Sequence, residues 1–181
     1  MGLTNKSTGI NASETKLVIK KQSRNDKVVA IAGNPNVGKS TVFNGLTGLH
    51  QHTGNWPGKT VTNAQGYCRG KENSYVLVDI PGTYSLLAHS AEEEVARNFI
   101  CFEHPDVIVV VCDATCLERN LNLVIQTIEI HTNVIVCVNL LDEAKKKGID
   151  IDLEQLSSCL GVPVIGITAR KRQICIKLLI L

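Results

Sequence analysis

The chain has 181 residues with a formal net charge of +2, and 4% of its residues are aromatic. This length predicts one domain, and the balanced charge argues against nucleic acid or a charged membrane surface as a partner. No stretch approaches the roughly 18 apolar residues of a membrane-spanning helix, so we expect no transmembrane segment in this chain. With few aromatic residues, the core is predicted to consist of Val, Ile and Leu, which buried parallel strands favour.

The seven cysteines are an odd number and include no C-x-x-C pair. Cys112 and Cys137 lie within apolar runs, which predicts reduced, mostly buried thiols and a cytoplasmic location. Residues 1–26 are polar and contain no signal peptide, so we expect a loose N-terminal extension. Within this extension, Leu17–Ile19 has the composition of an additional edge strand.

From residue 27 onward, apolar strand-like runs alternate with helical patterns. Strands are predicted at 28–32, 62–69, 74–79, 107–112, 134–138 and 162–166. Helices are predicted at 39–48, 90–102, 118–130, 142–147 and 152–160. This alternation indicates an α/β domain with a mostly parallel, six-stranded sheet and helices on both faces. The second and third strands are predicted to form a hairpin, which makes one edge strand antiparallel.

The first strand is followed by a segment with the phosphate-loop pattern G-x-x-x-x-G-K-[ST]. It consists of Gly33, Asn34, Pro35, Asn36, Val37, Gly38, Lys39 and Ser40, with Thr41 next in the predicted nucleotide-binding stretch. The backbone N–H groups of such a loop, and the start of the helix that follows, bind phosphates. Lys39 is predicted to reach the β- and γ-phosphates, and the Ser40 hydroxyl to bind Mg²⁺. The segment therefore predicts a P-loop NTPase fold.

A loop is expected after the first helix, and it contains the candidate switch residues. Thr60 is the candidate threonine that ligates Mg²⁺ when GTP is bound, and Gly58 and Lys59 precede it in the predicted nucleotide-binding set. Trp56 in the same segment is the only tryptophan of the chain.

A second motif, D-x-x-G, stands at the end of the 74–79 strand and consists of Asp79, Ile80, Pro81 and Gly82. Asp79 is predicted to hold Mg²⁺ through a water molecule, and the Gly82 N–H to sense the γ-phosphate. The next residue is Thr83, where many GTPases carry a glutamine that positions the attacking water. Hydrolysis without that glutamine is expected to be slow.

The motif that selects GTP over ATP is N-x-x-D, formed by Asn139, Leu140, Leu141 and Asp142. The Asp142 carboxylate can accept hydrogen bonds from N1–H and the 2-amino group of guanine, a donor pair that adenine lacks. Leu140 stands where the motif usually has a lysine. After the last strand, Thr168, Ala169 and Arg170 resemble the S-A-[KR] loop, whose backbone N–H binds guanine O6.

Together these segments resemble the cytosolic G domain of FeoB-type ferrous iron transporters. The matching segments are 33–40, 53–61, 79–86, 92–97, 113–121 and 139–144. The resemblance covers residues 27–172, and its most specific parts are the runs G-N-W-P-G and D-I-P-G-T-Y-S-L. It implies a Ras-like G domain that binds and hydrolyses GTP and regulates Fe²⁺ uptake by an attached membrane domain, at the cytosolic face of the cell membrane.

The same resemblance implies a K⁺ ion beside the phosphates. Asn36 matches the phosphate-loop asparagine that helps to hold this ion, and Gly54 and Trp56 match the positions whose carbonyl groups complete the site. A K⁺ ion there would neutralise transition-state charge, as an arginine finger does. The implied catalytic residues are Asn36, Lys39, Thr60 and Gly82.

The chain departs from the family pattern in two places. Lys59 stands where an apolar residue usually precedes the switch threonine. After residue 172 the sequence lacks the glycine, the C-terminal helix, the helical domain and the membrane region that the family pattern continues with. We expect a truncated or frame-shifted product, and a chain deliberately cut to this length is the alternative. Loss of that helix is expected to expose apolar sheet surface.

Two other functions are compatible with the motifs. Ribosome- or RNA-associated GTPases also use a G-x-P-N-V-G-K-S loop, although this chain shows no basic RNA-binding module. A non-hydrolysing nucleotide-binding fragment would result if the altered C-terminus had disabled the guanine-binding loop.

Overall fold

The structure is a computed structural model that describes residues 17–48, 51–56, 61–70, 73–87 and 90–167. Strands β1 to β7 comprise Lys27–Gly33, Gln51–Asn55, Thr62–Arg69, Ser74–Asp79, Val107–Asp113, Val134–Asn139 and Val164–Gly166. Helices α1 to α5 comprise Lys39–Thr47, Ala91–Phe102, Leu117–Ile130, Leu141–Lys146 and Leu153–Leu160. The predicted helices agree with these bounds to within one residue at each end. Ser90 and Asp152, the predicted caps of α2 and α5, accept hydrogen bonds from the backbone at the helix starts.

The seven strands form one sheet in the order β2-β3-β4-β1-β5-β6-β7. Strand β1 pairs in parallel with β4 and β5, and β6 pairs in parallel with β5 and β7. Strand β3 runs antiparallel to both of its neighbours. The carboxyl ends of the parallel strands therefore share one edge, which is where ligands bind in open α/β sheets.

The number of strands differs from the prediction. Six strands are predicted, but the sheet has seven, because the segment expected to be a loop forms edge strand β2. Strand β2 pairs with β3 from Gln51 opposite Gly66 to Asn55 opposite Thr62. Residues 52–55 are exposed and lack apolar alternation, so the sequence predicts no strand there. The strand forms through backbone pairing with β3. The antiparallel strand β3 is therefore second from the edge.

The predicted edge strand at Leu17–Ile19 is wrong: this segment forms no strand, and its backbone is bound by the side chain of Gln65 instead of by a neighbouring strand. The Lys20 N–H donates to Gln65 Oε1 at 3.0 Å, and Gln65 Nε2 donates to the Val18 carbonyl at 3.1 Å. The Leu17 side chain is buried in the core. We call residues 17–20 the N-terminal strap.

The core has a layer on each face of the sheet. Ala30 and Val110 belong to the layer under α2 and α3, whereas Ile31 and Val111 belong to the layer under α1. This alternation confirms that helices cover both faces. No helix in the described part of the chain is long and apolar enough to cross a membrane.

An apolar cavity of about 290 Å³ lies on the α1 side of the sheet, with Val29, Leu46 and Leu77 among its lining residues. The predicted effect of the C-terminal segment on apolar surface stays a prediction, because residues 168–181 lie outside the described residues.

The predicted burial of Cys112 and Cys137 is confirmed. Burial raises the pKa of the Cys112 thiol to about 12, with smaller contributions from Cys116 and Asp113. Burial also raises the pKa of Cys137. The described cysteines are all free thiols.

Candidate nucleotide-binding site

The phosphate loop connects the end of β1 to the start of α1, as the pattern predicts. Asn36 has a φ of 66° and Gly38 a φ of 85°, so the loop turns through the left-handed region twice. A Cβ atom on Gly38 would lie 2.4 Å from Nδ2 of Asn139, so both conformation and space require glycine there. Ser40 and Thr41, in the first turn of α1, have exposed side chains. The loop therefore has the compact, glycine-dependent form of a phosphate cradle.

Lys39 and Asp79 form an ion pair between the phosphate loop and the D-x-x-G motif. Their side chains are only 12% and 16% exposed, so the pair is largely shielded from water. Burial raises the pKa of the Asp79 carboxyl, and the charge and hydrogen bond of Lys39 partly oppose that rise. The pair places a cation and a carboxylate, the groups predicted to hold phosphate and Mg²⁺, beside each other.

Asn34 has a side chain whose two amide atoms are buried and lack a hydrogen-bond partner among the described residues. A buried, unpaired carboxamide costs free energy, so it indicates a position where a polar partner belongs. The amide, the loop and the Lys39–Asp79 pair fit a phosphate group with a bound cation. The side chain of Asn36, the predicted K⁺ ligand, is exposed at the turn.

The D-x-x-G segment packs directly against the phosphate loop. A Cβ atom on Gly82 would lie 3.3 Å from the backbone of Pro35, and the Thr83 N–H donates to the Gly33 carbonyl at 3.2 Å. The Thr83 side chain is buried, and its Oγ1 donates to the Ser85 carbonyl at 2.6 Å. Thr83 therefore uses its hydroxyl within its own loop.

The N-x-x-D motif is joined to the phosphate loop by a buried hydrogen bond. Asn139 Nδ2 donates to the Val37 carbonyl at 2.9 Å, and Asn139 is completely buried. Leu140 has a φ of 62°, and α4 begins at the next residue. Asp142 lies in the first turn of α4 with an exposed side chain. The structure thus brings the end of β6 to the phosphate loop and leaves the Asp142 carboxylate accessible.

Other predicted site residues are placed less directly or lie outside the described residues. Gly54 lies in edge strand β2 opposite Asn63. Trp56 is buried with its ring edge-to-face against Phe99, at a centroid distance of 5.3 Å. The remaining predicted residues are outside the described part of the chain: Gly58, Lys59, Thr60, Thr168, Ala169 and Arg170.

Sequence reasoning missed the contacts between the segment after Gly82 and helix α3. Gln126 accepts a hydrogen bond from the Leu86 N–H at 2.7 Å, and Asn122 donates to the Tyr84 carbonyl at 3.2 Å. The available signal was the spacing of polar residues along α3, which places Arg119, Asn122 and Gln126 on one face.

Comparison with known proteins identifies the family of this chain. The sequence model of the family described as Ferrous iron transport protein B matches residues 27–180. The Fe(2+) transporter FeoB of Shigella flexneri is 42% identical over 147 residues, which are 79% of this chain and 19% of that protein. The chain therefore spans about one fifth of the length of the curated relatives that it matches.

Solved structures of FeoB proteins are similar to this chain in both sequence and fold. The G domain of the T. maritima FeoB iron transporter is 39% identical with a TM-score of 0.75, over 79% of this chain and 87% of that one. The cytosolic domain of the T. maritima protein in a GDP form is 40% identical with a TM-score of 0.76, over 80% of this chain and 56% of that one. With the family model covering most of its residues, this chain belongs to the Ferrous iron transport protein B family and has the fold of the FeoB G domain.

Proposed function

We propose that this chain is the GTP-binding module of a ferrous iron transporter, and that it hydrolyses GTP slowly to GDP and phosphate. The supporting observation is the meeting of three motifs at one edge of the sheet. The phosphate loop contacts D-x-x-G through Lys39 and Asp79, and it contacts N-x-x-D through Asn139 and the Val37 carbonyl. The GDP form of the T. maritima relative supports a guanine nucleotide as ligand.

Guanine selection is assigned to Asp142. Its exposed carboxylate can accept two hydrogen bonds from guanine, whereas adenine would leave the carboxylate without those donors. Asn139 holds the motif against the phosphate loop, so the distance between the base and phosphate ends of the site is set by a buried contact. The S-A-[KR]-like residues Thr168, Ala169 and Arg170 are proposed to contact the base from the other side.

In the proposed reaction, water attacks the γ-phosphorus and the bond to the β–γ bridging oxygen breaks. The bridging oxygen leaves with GDP, and the proton of the water passes to the released phosphate. Lys39 and the Gly82 N–H stabilise the negative charge that develops on the transferred phosphoryl group. Thr83 is buried and its hydroxyl donates to the Ser85 carbonyl, so it does not replace the missing glutamine. This supports slow turnover.

Two cations are proposed to bind beside the same phosphates. Ser40, Thr60 and Asp79 are proposed to hold Mg²⁺, and Asn36 with the carbonyl groups of Gly54 and Trp56 to hold K⁺. When bound, these cations supply positive charge opposite the phosphate oxygens. Asn36 is exposed at the turn of the phosphate loop, which leaves its amide oxygen available to a cation.

The experiment that tests this function is GTP hydrolysis by the purified chain with Mg²⁺, in KCl against NaCl, with ATP as the competing substrate. We expect turnover of GTP and none of ATP, with a GTPase rate in KCl about tenfold or more above the rate in NaCl. A full arginine finger accelerates hydrolysis by a larger factor, ~10³–10⁵. An Asn36→Ala variant is expected to lose the K⁺ stimulation while it still binds GDP. Equal rates in the two salts would contradict the K⁺ site, and equal use of ATP would contradict the assignment of Asp142.

A further inference from the structure

The segment after Gly82 is held at both of its ends. On one side, the Thr83 N–H donates to the Gly33 carbonyl of the phosphate loop at 3.2 Å. On the other side, α3 contacts residues 84–86 through three side chains that lie on one face of the helix. We call these three residues, Arg119, Asn122 and Gln126, the α3 clamp.

The α3 clamp contacts three consecutive residues of the loop, Tyr84, Ser85 and Leu86. The Arg119 guanidinium lies 4.4 Å from the centre of the Tyr84 ring, and Asn122 Nδ2 donates to the Tyr84 carbonyl at 3.2 Å. Gln126 Oε1 accepts from the Leu86 N–H at 2.7 Å and from Ser85 Oγ at 3.2 Å.

The hydrogen bonds of Gln126 join the clamp into one network. Because a backbone N–H can only donate, the amide oxygen of Gln126 must face Leu86, and its nitrogen points to Asn122 Oδ1 at 3.4 Å. Gln126 therefore touches both the loop and its neighbour on α3, and it is the central member of the clamp.

We propose that Gln126 is a positioning residue for GTP hydrolysis, acting through the loop that carries Gly82. This inference rests on the proposed function, in which the Gly82 N–H contacts the γ-phosphate. Gln126 anchors the far end of a short segment, so it restricts the positions open to Gly82 at the near end. A loose segment would bind GTP through the phosphate loop and the base motif as before, but Gly82 would be aligned for reaction less often.

The test compares three variants in the full chain. Gln126→Leu keeps the size of the side chain but removes the acceptor, and we expect kcat for GTP to fall about tenfold while KM changes less than twofold. Gln126→Glu keeps an acceptor for Leu86 and Ser85 and loses only the longer donor contact to Asn122 at 3.4 Å, so it is expected to retain near wild-type kcat. Glu129→Gln, at an exposed position on the same helix, is the matched control.

A second measurement separates this proposal from the proposed function. Hydrogen exchange of the peptide containing residues 83–87 needs no turnover, and we expect exchange to be faster in Gln126→Leu than in wild type and Gln126→Glu. If Gln126→Leu behaves like Glu129→Gln in both measurements, or if Gln126→Glu loses as much kcat as Gln126→Leu, the positioning role is wrong. If the wild-type chain hydrolyses no GTP but the exchange difference is present, the proposed function fails and the clamp itself stands.

Discussion

At the scale of single residues, the site depends on a few charged and polar side chains that contact each other directly. Lys39 and Asp79 neutralise each other between two motifs that are 40 positions apart in the chain. Both charges are largely shielded from water, so removal of one leaves the other partly buried without its partner.

We expect Lys39→Ala to lower the affinity for both GTP and GDP by about 100-fold or more, because the phosphates lose their main cation. Titration with a fluorescent guanine nucleotide measures the effect. Lys146→Ala, in the last turn of α4, is the control for loss of a lysine. If nucleotide affinity survives in Lys39→Ala, the assignment of the phosphate loop is wrong.

Asp142→Asn is expected to change which purine the site prefers. An asparagine amide can donate to the 2-carbonyl of xanthine but no longer offers guanine two acceptor oxygens. We expect GTP affinity to fall about 10- to 100-fold, as loss of a hydrogen bond to a charged group implies, and xanthosine triphosphate to bind better than GTP. Competition between the two nucleotides in both proteins measures the change. If Asp142→Asn still prefers GTP over xanthosine triphosphate, Asp142 does not bind the guanine base.

At the scale of secondary structure elements, single side chains tie together segments that are distant in sequence. Asp106, before β5, accepts from the Val28 N–H at 2.8 Å and from Lys27 Nζ at 3.1 Å, and so holds the start of β1. Gln65 on β3 likewise holds the N-terminal strap through both atoms of its amide. The clamp on α3 belongs to the same class, since it fixes a loop that has no regular structure of its own.

Asp106 gives a prediction for the pH dependence of stability. Burial raises its pKa, but the hydrogen bonds from Val28 and Lys27 and the charges of Lys27 and Lys21 outweigh this, so the pKa is lowered below 3.8. A lowered pKa in the folded state means that the carboxylate stabilises the fold above about pH 4 and that this contribution is lost as the pH falls further.

We therefore expect Asp106→Asn to lower the free energy of unfolding by about 1 kcal/mol at pH 7, and by less at pH 3. Urea unfolding at the two pH values measures both differences. Asp150→Asn, at an exposed carboxylate, is the control. A difference that is the same at both pH values would show that the charge of Asp106 is not responsible.

At the scale of the whole molecule, the parallel sheet brings the three motifs together at one edge. The chain spans 19% of the Shigella flexneri relative. If the chain is the nucleotide module of such a transporter, it should work in place of the relative's own G domain. We expect a fusion of residues 17–172 of this chain to the remainder of that relative to support Fe²⁺ uptake in cells. The same fusion with Lys39→Ala is expected to lose most of that uptake. Equal uptake by the two fusions would contradict control of transport by this site.

The sequence alone determined the elements and motifs that depend on local order. The phosphate loop, D-x-x-G and N-x-x-D each consist of neighbouring residues, so they can be recognised in the sequence. The helices can be predicted because their apolar residues recur over a short stretch of sequence. Only the tertiary structure decided the features that depend on pairing across the fold. Strand β2 has no apolar alternation and forms through backbone pairing with β3. The N-terminal strap is held by the side chain of Gln65 rather than by a strand. The contact between Gln126 and Leu86 joins residues 40 positions apart, and no pattern of neighbouring residues predicts a contact over that separation.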